Sequence, residues 1–198
     1  MNINDFRVIE PLNRTNLLRK SLSLSSLTGW FMEFGTYKGY SINMMANWYP
    51  DQTFYGFDSL VGLPEAWERS DTSTYDKGHF RTPKPHFNHN VDFVFGYFHE
   101  SLPSWLEENA KDDSFVSFLH IDSDLYSSAK TVLTLLNDYI NTGTIIVFDE
   151  LCDWQDSGIY PKWKDGEWKA LCEWIEEYDR SYEIIGRGIQ YEAAIQVK

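Results

Sequence analysis

Apolar and polar residues follow two alternating periods along the chain, and this alternation predicts an α/β protein. Five short apolar segments rich in β-branched or aromatic residues predict strands at residues 30–34, 53–58, 91–98, 115–122 and 144–149. Strands that are apolar on both faces are typical of a parallel sheet covered by helices on each side.

Helical periodicity fills the intervals, at residues 13–27, 39–48, 101–109, 127–139 and 167–178. This order of strands and helices is typical of a sheet with crossover helices.

The end of the chain has a different pattern. Residues 181–187 and 190–197 form two strand patterns separated only by Gly188 and Ile189. So short a connection predicts an antiparallel hairpin. The sequence therefore predicts a mostly parallel sheet with an antiparallel pair at its end.

The chain length predicts one domain, residues 1–198, with residues 1–29 as an N-terminal helical cap. Residues 71–90 are polar and lack a pattern, which predicts either a lid loop or a disordered loop, with the lid favoured by the firm flanking strands. This segment contains His79, His86 and His89, but their irregular spacing disfavours a metal site.

Composition and charge limit the classes of molecule that this chain is expected to bind. A net charge of -13 argues against nucleic acid, because binding a polyphosphate requires clustered Lys and Arg. The longest apolar runs fall short of the roughly 20 residues that a membrane helix needs. Two cysteines without close spacing, and no secretory signal, predict a cytoplasmic protein. A small-molecule substrate is expected.

The strand at residues 30–34 leads into a loop with Gly35 and Gly39 and then into a helix. Glycine allows a sharp turn and close approach of a ligand, and the N–H groups that begin a helix favour an anionic group. A nucleotide-like cofactor is therefore expected. The spacing is not that of dinucleotide-binding loops, so a nicotinamide-dependent dehydrogenase is disfavoured.

Acids near this loop favour one cofactor. Asp58, followed by Ser59, ends the next strand about 20 residues later, where a carboxylate can bind ribose hydroxyls, although it can also cap the following turn. Glu33 can hold the ammonium of a cofactor that carries an amino acid. These residues favour S-adenosyl-L-methionine over NAD.

Four further acids, Asp122, Asp124, Asp149 and Glu150, follow two adjacent predicted strands. Four carboxylates in one crevice repel each other, and we expect a hard divalent cation, with Mg²⁺ the natural candidate beside Ca²⁺ and Mn²⁺, because neither segment supplies a Lys or Arg. The alternative is that Asp122 and Asp124 cap the next helix.

Four segments, at residues 33–41, 55–65, 120–128 and 146–150, resemble in order and spacing the class I S-adenosylmethionine methyltransferases, specifically the macrocin O-methyltransferase-like group. The resemblance implies a three-layer Rossmann-like methyltransferase sandwich with a mostly parallel seven-stranded sheet. It also implies activity on a hydroxyl, most of all that of a sugar or glycosylated natural product.

The resemblance assigns roles to individual residues. Asp122, Asp149 and Glu150 would hold the metal, although the family commonly has Asp at the third position. Asp124 would be the general base, and His120 an orienting residue, with the reverse left open. Tyr97 and Phe98 are candidates near adenine. The residues expected to bind the cofactor are Glu33, Gly35, Thr36, Tyr37, Gly39, Ser41, Asp58, Ser59, Gly96 and Asp122.

In such a reaction the metal lowers the pKa of the acceptor hydroxyl while a carboxylate takes its proton. The acceptor wall is expected from residues 62–90 and 151–168, where Trp67, Trp154, Tyr160 and Trp163 either stack on a sugar or are ordinary surface residues. Two alternatives stay open, a catechol-like phenol as acceptor and a cofactor-binding scaffold without catalysis. A homodimer is a possible assembly.

Overall fold

The computed structural model describes residues 1–26 and 28–198. Two helices precede the sheet, and helices then alternate with its strands up to the final hairpin, except that a separate two-stranded hairpin stands between the second and fifth strands. The helices are α1 (Asn4–Arg7), α2 (Arg14–Leu24), α3 (Tyr40–Trp48), α4 (Phe98–Asn109), α5 (Tyr126–Leu135) and α6 (Glu167–Glu177). The strands are β1 (Trp30–Phe34), β2 (Phe54–Asp58), β3 (Trp67–Ser70), β4 (Ser73–Tyr75), β5 (Val91–Phe95), β6 (Val116–Ile121), β7 (Ile145–Phe148), β8 (Tyr182–Arg187) and β9 (Ala193–Val197).

Seven strands form one sheet in the order β5-β2-β1-β6-β7-β9-β8. The first five are parallel, whereas β9 pairs antiparallel with both β7 and β8. The strand order reverses between β1 and β6, so the carboxyl ends of these strands border the crevice in which open α/β sheets bind ligands. The predicted seven-stranded, mostly parallel sheet with a terminal antiparallel pair is confirmed.

The two faces of the sheet carry separate apolar layers, because successive strand residues point to opposite sides. Phe31, Phe118 and Val147 pack on one face with the leucines of α2 and with α3. Met32 and Leu119 lie on the other face, under α4, α5 and α6. This alternation decides which face receives each polar side chain near a strand end.

Several element boundaries differ from the sequence prediction. The third strand ends at Phe95 because Gly96, with φ +134°, turns the chain, and α4 begins earlier, at Phe98. The opening helix ends at Leu24, and its predicted last residue, Leu27, lies outside the described residues. The terminal hairpin has a five-residue connection, residues 188–192, instead of two residues.

The β3–β4 hairpin was missed, and half of it falls within the expected loop at residues 71–90. The rest of that segment is tied to α3, since Asn43 donates to the carbonyl of His86 and accepts from the N–H of Asn88. Closure of the segment over a substrate stays a prediction. Across the described part of the chain, none of the helices combines the length and apolarity needed to traverse a bilayer.

Candidate active site

A cavity of about 430 Å³ opens at the carboxyl ends of the parallel strands. This volume lies within the range of roughly 300–1,000 Å³ typical of small-molecule sites. The lining comes from the glycine loop after β1, from the segments after β2 and β5, from the β6–α5 connection and α5, and from one residue after β7. The lining residues are Gly35, Tyr37, Asp58, Ser59, Gly62, Leu63, Pro64, Glu65, Phe80, Tyr97, Phe98, His99, Asp122, Ser123, Asp124, Ser127, Ser128, Thr131 and Glu150.

Gly35 brings the glycine loop against the β6–α5 connection. Its φ is +96°, and a Cβ atom there would lie 1.7 Å from the carbonyl oxygen of Asp122. Only glycine permits both this backbone conformation and this approach. The loop and Asp122 therefore form one continuous wall of the cavity. Close approach of a ligand to this backbone stays a prediction.

Asp58 organises the same loop. Its carboxylate accepts hydrogen bonds from the backbone N–H of Tyr37 at 2.7 Å and from that of Leu60 at 2.6 Å. Burial raises the pKa of Asp58, and these two hydrogen bonds oppose the shift. Each oxygen has a further lone pair, so the carboxylate can cap the turn and still accept from ribose hydroxyls. The turn-capping interpretation is confirmed, and it is compatible with the cofactor role.

Glu33 and His120 form a fully buried pair beneath the cavity. They are register neighbours on β1 and β6, and the Nδ1 of His120 lies 2.8 Å from the Glu33 carboxylate. Ser41 donates to the other Glu33 oxygen at 3.1 Å. With both oxygens engaged, Glu33 supports the loop from below and does not line the cavity, in contrast to its expected contact with a cofactor ammonium.

The second ring nitrogen of His120 lies 3.3 Å from the Asp149 carboxylate. Burial lowers the pKa of His120, but the hydrogen bonds with Asp149 and Glu33 outweigh burial and raise it to about 10. The imidazole is therefore protonated at neutral pH and carries a hydrogen on each nitrogen. A group in this state cannot take a proton, and the orienting role expected for His120 stays a prediction.

Arg14, the first residue of α2, reaches the same cluster. Its Nε donates to Asp149 at 2.5 Å and its terminal Nη2 donates to Asp122 at 2.5 Å. The segments that carry the acids contain no arginine, and Arg14 lies 108 residues from Asp122 and 135 residues from Asp149 in the sequence. No local signal distinguishes Arg14 from other arginines of the chain.

Arg14 changes the assessment of the expected metal site. Ligand atoms of His120, Asp122 and Asp149 lie within 4.8 Å of one another, and Glu150 is not a member of this group. However, the guanidinium already bridges the two aspartates, and both nitrogens of His120 face carboxylates. In this arrangement a divalent ion would have to share the two aspartates with a guanidinium that already holds one oxygen of each.

Asp124 and Glu150 face the cavity from the other side of the cluster. Asp124 adopts a left-handed backbone conformation with φ +63°. Burial and the charge of Asp149 raise the pKa of Asp124 to about 7, and the charge of Arg69 opposes the shift. A carboxylate that titrates near neutrality is suited to accept a proton from a substrate hydroxyl.

Glu167, which sequence reasoning missed, holds this region in place. It is fully buried at the start of α6 and accepts hydrogen bonds from the backbone N–H of Glu150 and that of Ser123. Burial raises the pKa of Glu167 to about 8. One buried carboxyl therefore links the loops that follow β6 and β7. The pattern of α6 gave no indication of this role.

The expected acceptor wall requires a correction. Gly62 to Glu65 and Phe80 line the cavity, as predicted for residues 62–90, but in the described residues nothing from 151–168 does so. The aromatic residues proposed to stack on a sugar are buried instead, because they pack into the core or around Arg69: Trp67, Trp154, Tyr160 and Trp163.

The aromatic lining of the cavity comes from other residues. Tyr37 and Phe80 are in edge contact, with ring centroids 5.7 Å apart, and Tyr97 and Phe98 follow β5. The last two were the aromatic candidates from sequence. Of the other expected cofactor residues, Thr36, Gly39, Ser41 and Gly96 do not line the cavity. Thr36 and Gly39 belong to the β1–α3 connection, Ser41 to the start of α3 and Gly96 to the β5–α4 connection, and other residues of these two connections line the cavity.

Comparison with known proteins identifies related sequences and folds. A family model described as "Methyltransferase domain" matches residues 32–151. No curated protein sequence matches the chain significantly. Among solved structures, the calicheamicin methyltransferase CalS11 is 23% identical with a TM-score of 0.67, covering 91% of this chain and 76% of its own.

A second, apo structure of CalS11, described as a TDP-rhamnose 3'-O-methyltransferase, is 22% identical with a TM-score of 0.60, again over 91% of this chain and 76% of that one. The O-methyltransferase NovP is 18% identical with a TM-score of 0.64, over 92% of this chain and 79% of its own. At these identities the likeness establishes the fold, and the predicted three-layer Rossmann-like arrangement is confirmed.

Proposed function

Because the chain belongs to the methyltransferase domain family, as its resemblance to class I S-adenosylmethionine-dependent methyltransferases predicted, we propose that it methylates a hydroxyl group of a small molecule, such as a sugar or a glycosylated natural product. One observation carries the proposal. The glycine loop and Asp58 line the same cavity as the carboxylate of Asp124, so a cofactor and a proton acceptor can face one substrate.

The cofactor end of the cavity is formed by Gly35, Tyr37, Asp58 and Ser59. Asp58 would accept hydrogen bonds from the ribose hydroxyls, and the backbone at Gly35 would lie close to the methionine part. Tyr97 and Phe98 supply apolar surface for the adenine. When bound, S-adenosylmethionine supplies an activated methyl group on its sulfonium. The role of these residues is to orient it and exclude water.

Asp124 would be the general base. A sugar hydroxyl is a weak nucleophile at neutral pH, so a carboxylate that takes its proton during methyl transfer accelerates the reaction. Asp124 lines the cavity, and its pKa of about 7 suits this role. His120 is not available for it because both of its nitrogens face carboxylates.

The sugar-like acceptor is supported by one of the structural relatives, and methylation of a hydroxyl by two. CalS11 is described as acting on TDP-rhamnose, and NovP as an O-methyltransferase. The cavity adds polar groups suited to hydroxyls, since Glu65, Ser127, Ser128 and Thr131 line it beside Asp124. Assistance by Mg²⁺ stays a prediction from the resemblance, and Arg14 competes with it for the same oxygens.

The test combines calorimetric titration of S-adenosylhomocysteine with transfer of a labelled methyl group to TDP-rhamnose, other nucleotide sugars and catechol. Asp124→Asn should keep the affinity for S-adenosylhomocysteine and lose about 10²–10⁴-fold in transfer rate. Asp112→Asn, an exposed substitution of the same kind, is the control and should change neither quantity.

Three results would change the conclusion. Failure of the wild-type chain to bind S-adenosylhomocysteine would reject the methyltransferase proposal. Binding without transfer to any acceptor of the panel would favour the scaffold alternative. Transfer to catechol alone would replace the sugar by a phenol.

A further inference from the structure

We propose that Arg14 takes the position of a divalent metal in this active site, so that methyl transfer proceeds without an added ion. The inference rests on the proposed function. It concerns how the negative charges of Asp122 and Asp149, beside the cavity, are neutralised. Arg14 does not line the cavity. It acts through Asp122 and Asp149, which makes it a positioning residue.

The contacts of Arg14 match what a bridging cation would provide. The Nε of the guanidinium donates to Asp149 and its terminal Nη2 donates to Asp122, each at 2.5 Å. These carboxylates follow two neighbouring parallel strands, β6 and β7. A planar guanidinium with donors in a fixed fork can bind two carboxylates at once, as a metal ion does, and it keeps its charge at every physiological pH.

The local structure holds Arg14 at this position. It begins α2, whose Leu17 and Leu18 are fully buried against the sheet face that also carries Glu33 and His120. On the other side, the backbone N–H of Leu12 donates to the carbonyl of Arg187 on β8. The chain is therefore anchored on both sides of Arg14, and the side chain is directed at the cluster by the packing of its own helix.

A divalent ion would have to share this cluster with the positive charge of Arg14. Mg²⁺ needs oxygen ligands at about 2.0–2.1 Å, and Oδ1 of Asp149, which faces both Arg14 and His120, is not free to supply one. His120 cannot replace the missing ligand because its two nitrogens face Glu33 and Asp149. An ion bound to Asp122 and Asp149 would lie close to the guanidinium that pairs with both, and the repulsion between the two cations opposes its binding.

Arg14 also connects the cluster to the catalytic loop. The carbonyl of Asp122 lies against Gly35, and Asp124 is two residues further along the chain. By fixing the Asp122 side chain, Arg14 would fix the backbone from which Asp124 projects into the cavity. Its charge offsets two acids next to the transfer site, which is the electrostatic part of a metal's role.

The experiment measures Mn²⁺ binding by electron paramagnetic resonance, with S-adenosylhomocysteine present, to the wild type and to Arg14→Gln. We expect the variant to bind Mn²⁺ at least about tenfold more tightly, because it removes a cation from the same oxygens. Arg19→Gln removes the same charge from an exposed position of α2 and should bind Mn²⁺ as the wild type does.

Activity supplies the second measurement. Methyl transfer by the wild type should be unchanged by a chelator. Arg14→Gln should lose about 10–100-fold and recover with added Mg²⁺, as expected when a residue that orients a cluster is removed. Rescue by an ion distinguishes the proposed role from a purely structural one, because an ion does not repair a misfolded chain.

The proposal is overturned if the wild type binds Mn²⁺ as tightly as Arg14→Gln, or if chelation stops transfer by the wild type. The Mn²⁺ comparison needs no acceptor, so it decides the role of Arg14 even if no substrate of the panel is methylated. If no substrate of the panel is methylated but the Mn²⁺ comparison gives the expected result, the proposed function fails and the role of Arg14 stands. If Arg14→Gln does not fold, the wild type alone decides, because saturable Mn²⁺ binding or loss of transfer on chelation would each overturn the proposal.

Discussion

The imidazole of His120 and the carboxylate of Glu33 lie 2.8 Å apart on adjacent parallel strands, and neither side chain has any exposed surface. A buried charge is stable only while its partner is present, because neither group can be solvated by water. This pair lies directly below the glycine loop, so the stability of the strands and the geometry of the cavity depend on the same two residues.

Glu33→Ala should therefore destabilise the fold strongly. Removing one partner of a buried ion pair costs about 3–5 kcal/mol, which corresponds to a fall in Tm of about 6–20 °C for a chain of this size. Thermal denaturation followed by circular dichroism measures the effect. Glu108→Ala, at an exposed position of α4, is the control and should shift Tm by less than about 2 °C. Equal shifts for the two variants would contradict the importance of the pair.

Gly35→Ala should combine backbone strain with a steric clash. Alanine disfavours φ +96°, and its Cβ would lie 1.7 Å from the carbonyl oxygen of Asp122. We expect a loss of about 2–5 kcal/mol in the free energy of unfolding, together with weakened binding of S-adenosylhomocysteine. Denaturant titration and calorimetry measure the two effects.

Gly143→Ala is the matched control for that substitution. Gly143 has φ +99°, but no atom lies within 4 Å of the position of its Cβ. It should lose only the strain of about 1–2 kcal/mol and keep cofactor affinity. A Gly35→Ala protein as stable as this control would show that the loop can move away from Asp122.

Asp58→Asn should weaken cofactor binding. An amide keeps one acceptor oxygen, so it cannot satisfy the N–H groups of both Tyr37 and Leu60 and also accept from a ribose. We expect the affinity for S-adenosylhomocysteine to fall about 10–100-fold, the equivalent of one or two hydrogen bonds to a charged group. Titration calorimetry measures it, with the exposed Asp92→Asn as control. Unchanged affinity would remove Asp58 from the cofactor site.

The transfer rate should depend on pH through Asp124. Its pKa is raised to about 7, so the carboxylate is protonated and inactive as a base below this value and ionised above it. The rate at saturating cofactor should rise by about tenfold per pH unit below pH 7 and level off above it. Steady-state assays between pH 5.5 and 8.5 measure the profile.

Cofactor affinity determined at the same pH values separates loss of binding from loss of proton transfer. The residual activity of Asp124→Asn should lack this dependence. A flat profile for the wild type would exclude Asp124 as the base.

The order of the strands and helices, the glycine loop and the turn at Asp58 follow from sequence because they depend on neighbouring residues. Hydrophobic periodicity reports which side chains face a core, and glycine at positions 35 and 39 reports the backbone conformation of a loop. The four acids also follow from sequence, since each stands at the end of an apolar run. These features are encoded within about ten residues of chain.

The charge balance of the site was decided by the tertiary structure alone. Arg14 meets Asp122 and Asp149 only because α2 packs its leucines on the sheet face that carries His120 and Glu33. Likewise, Tyr160 is drawn into the core, and Glu167 reaches the backbone of two loops from the start of α6. Periodicity shows that a helix such as α2 has an apolar face. The partner of a polar residue at the end of that helix is determined only when the apolar face packs on the sheet.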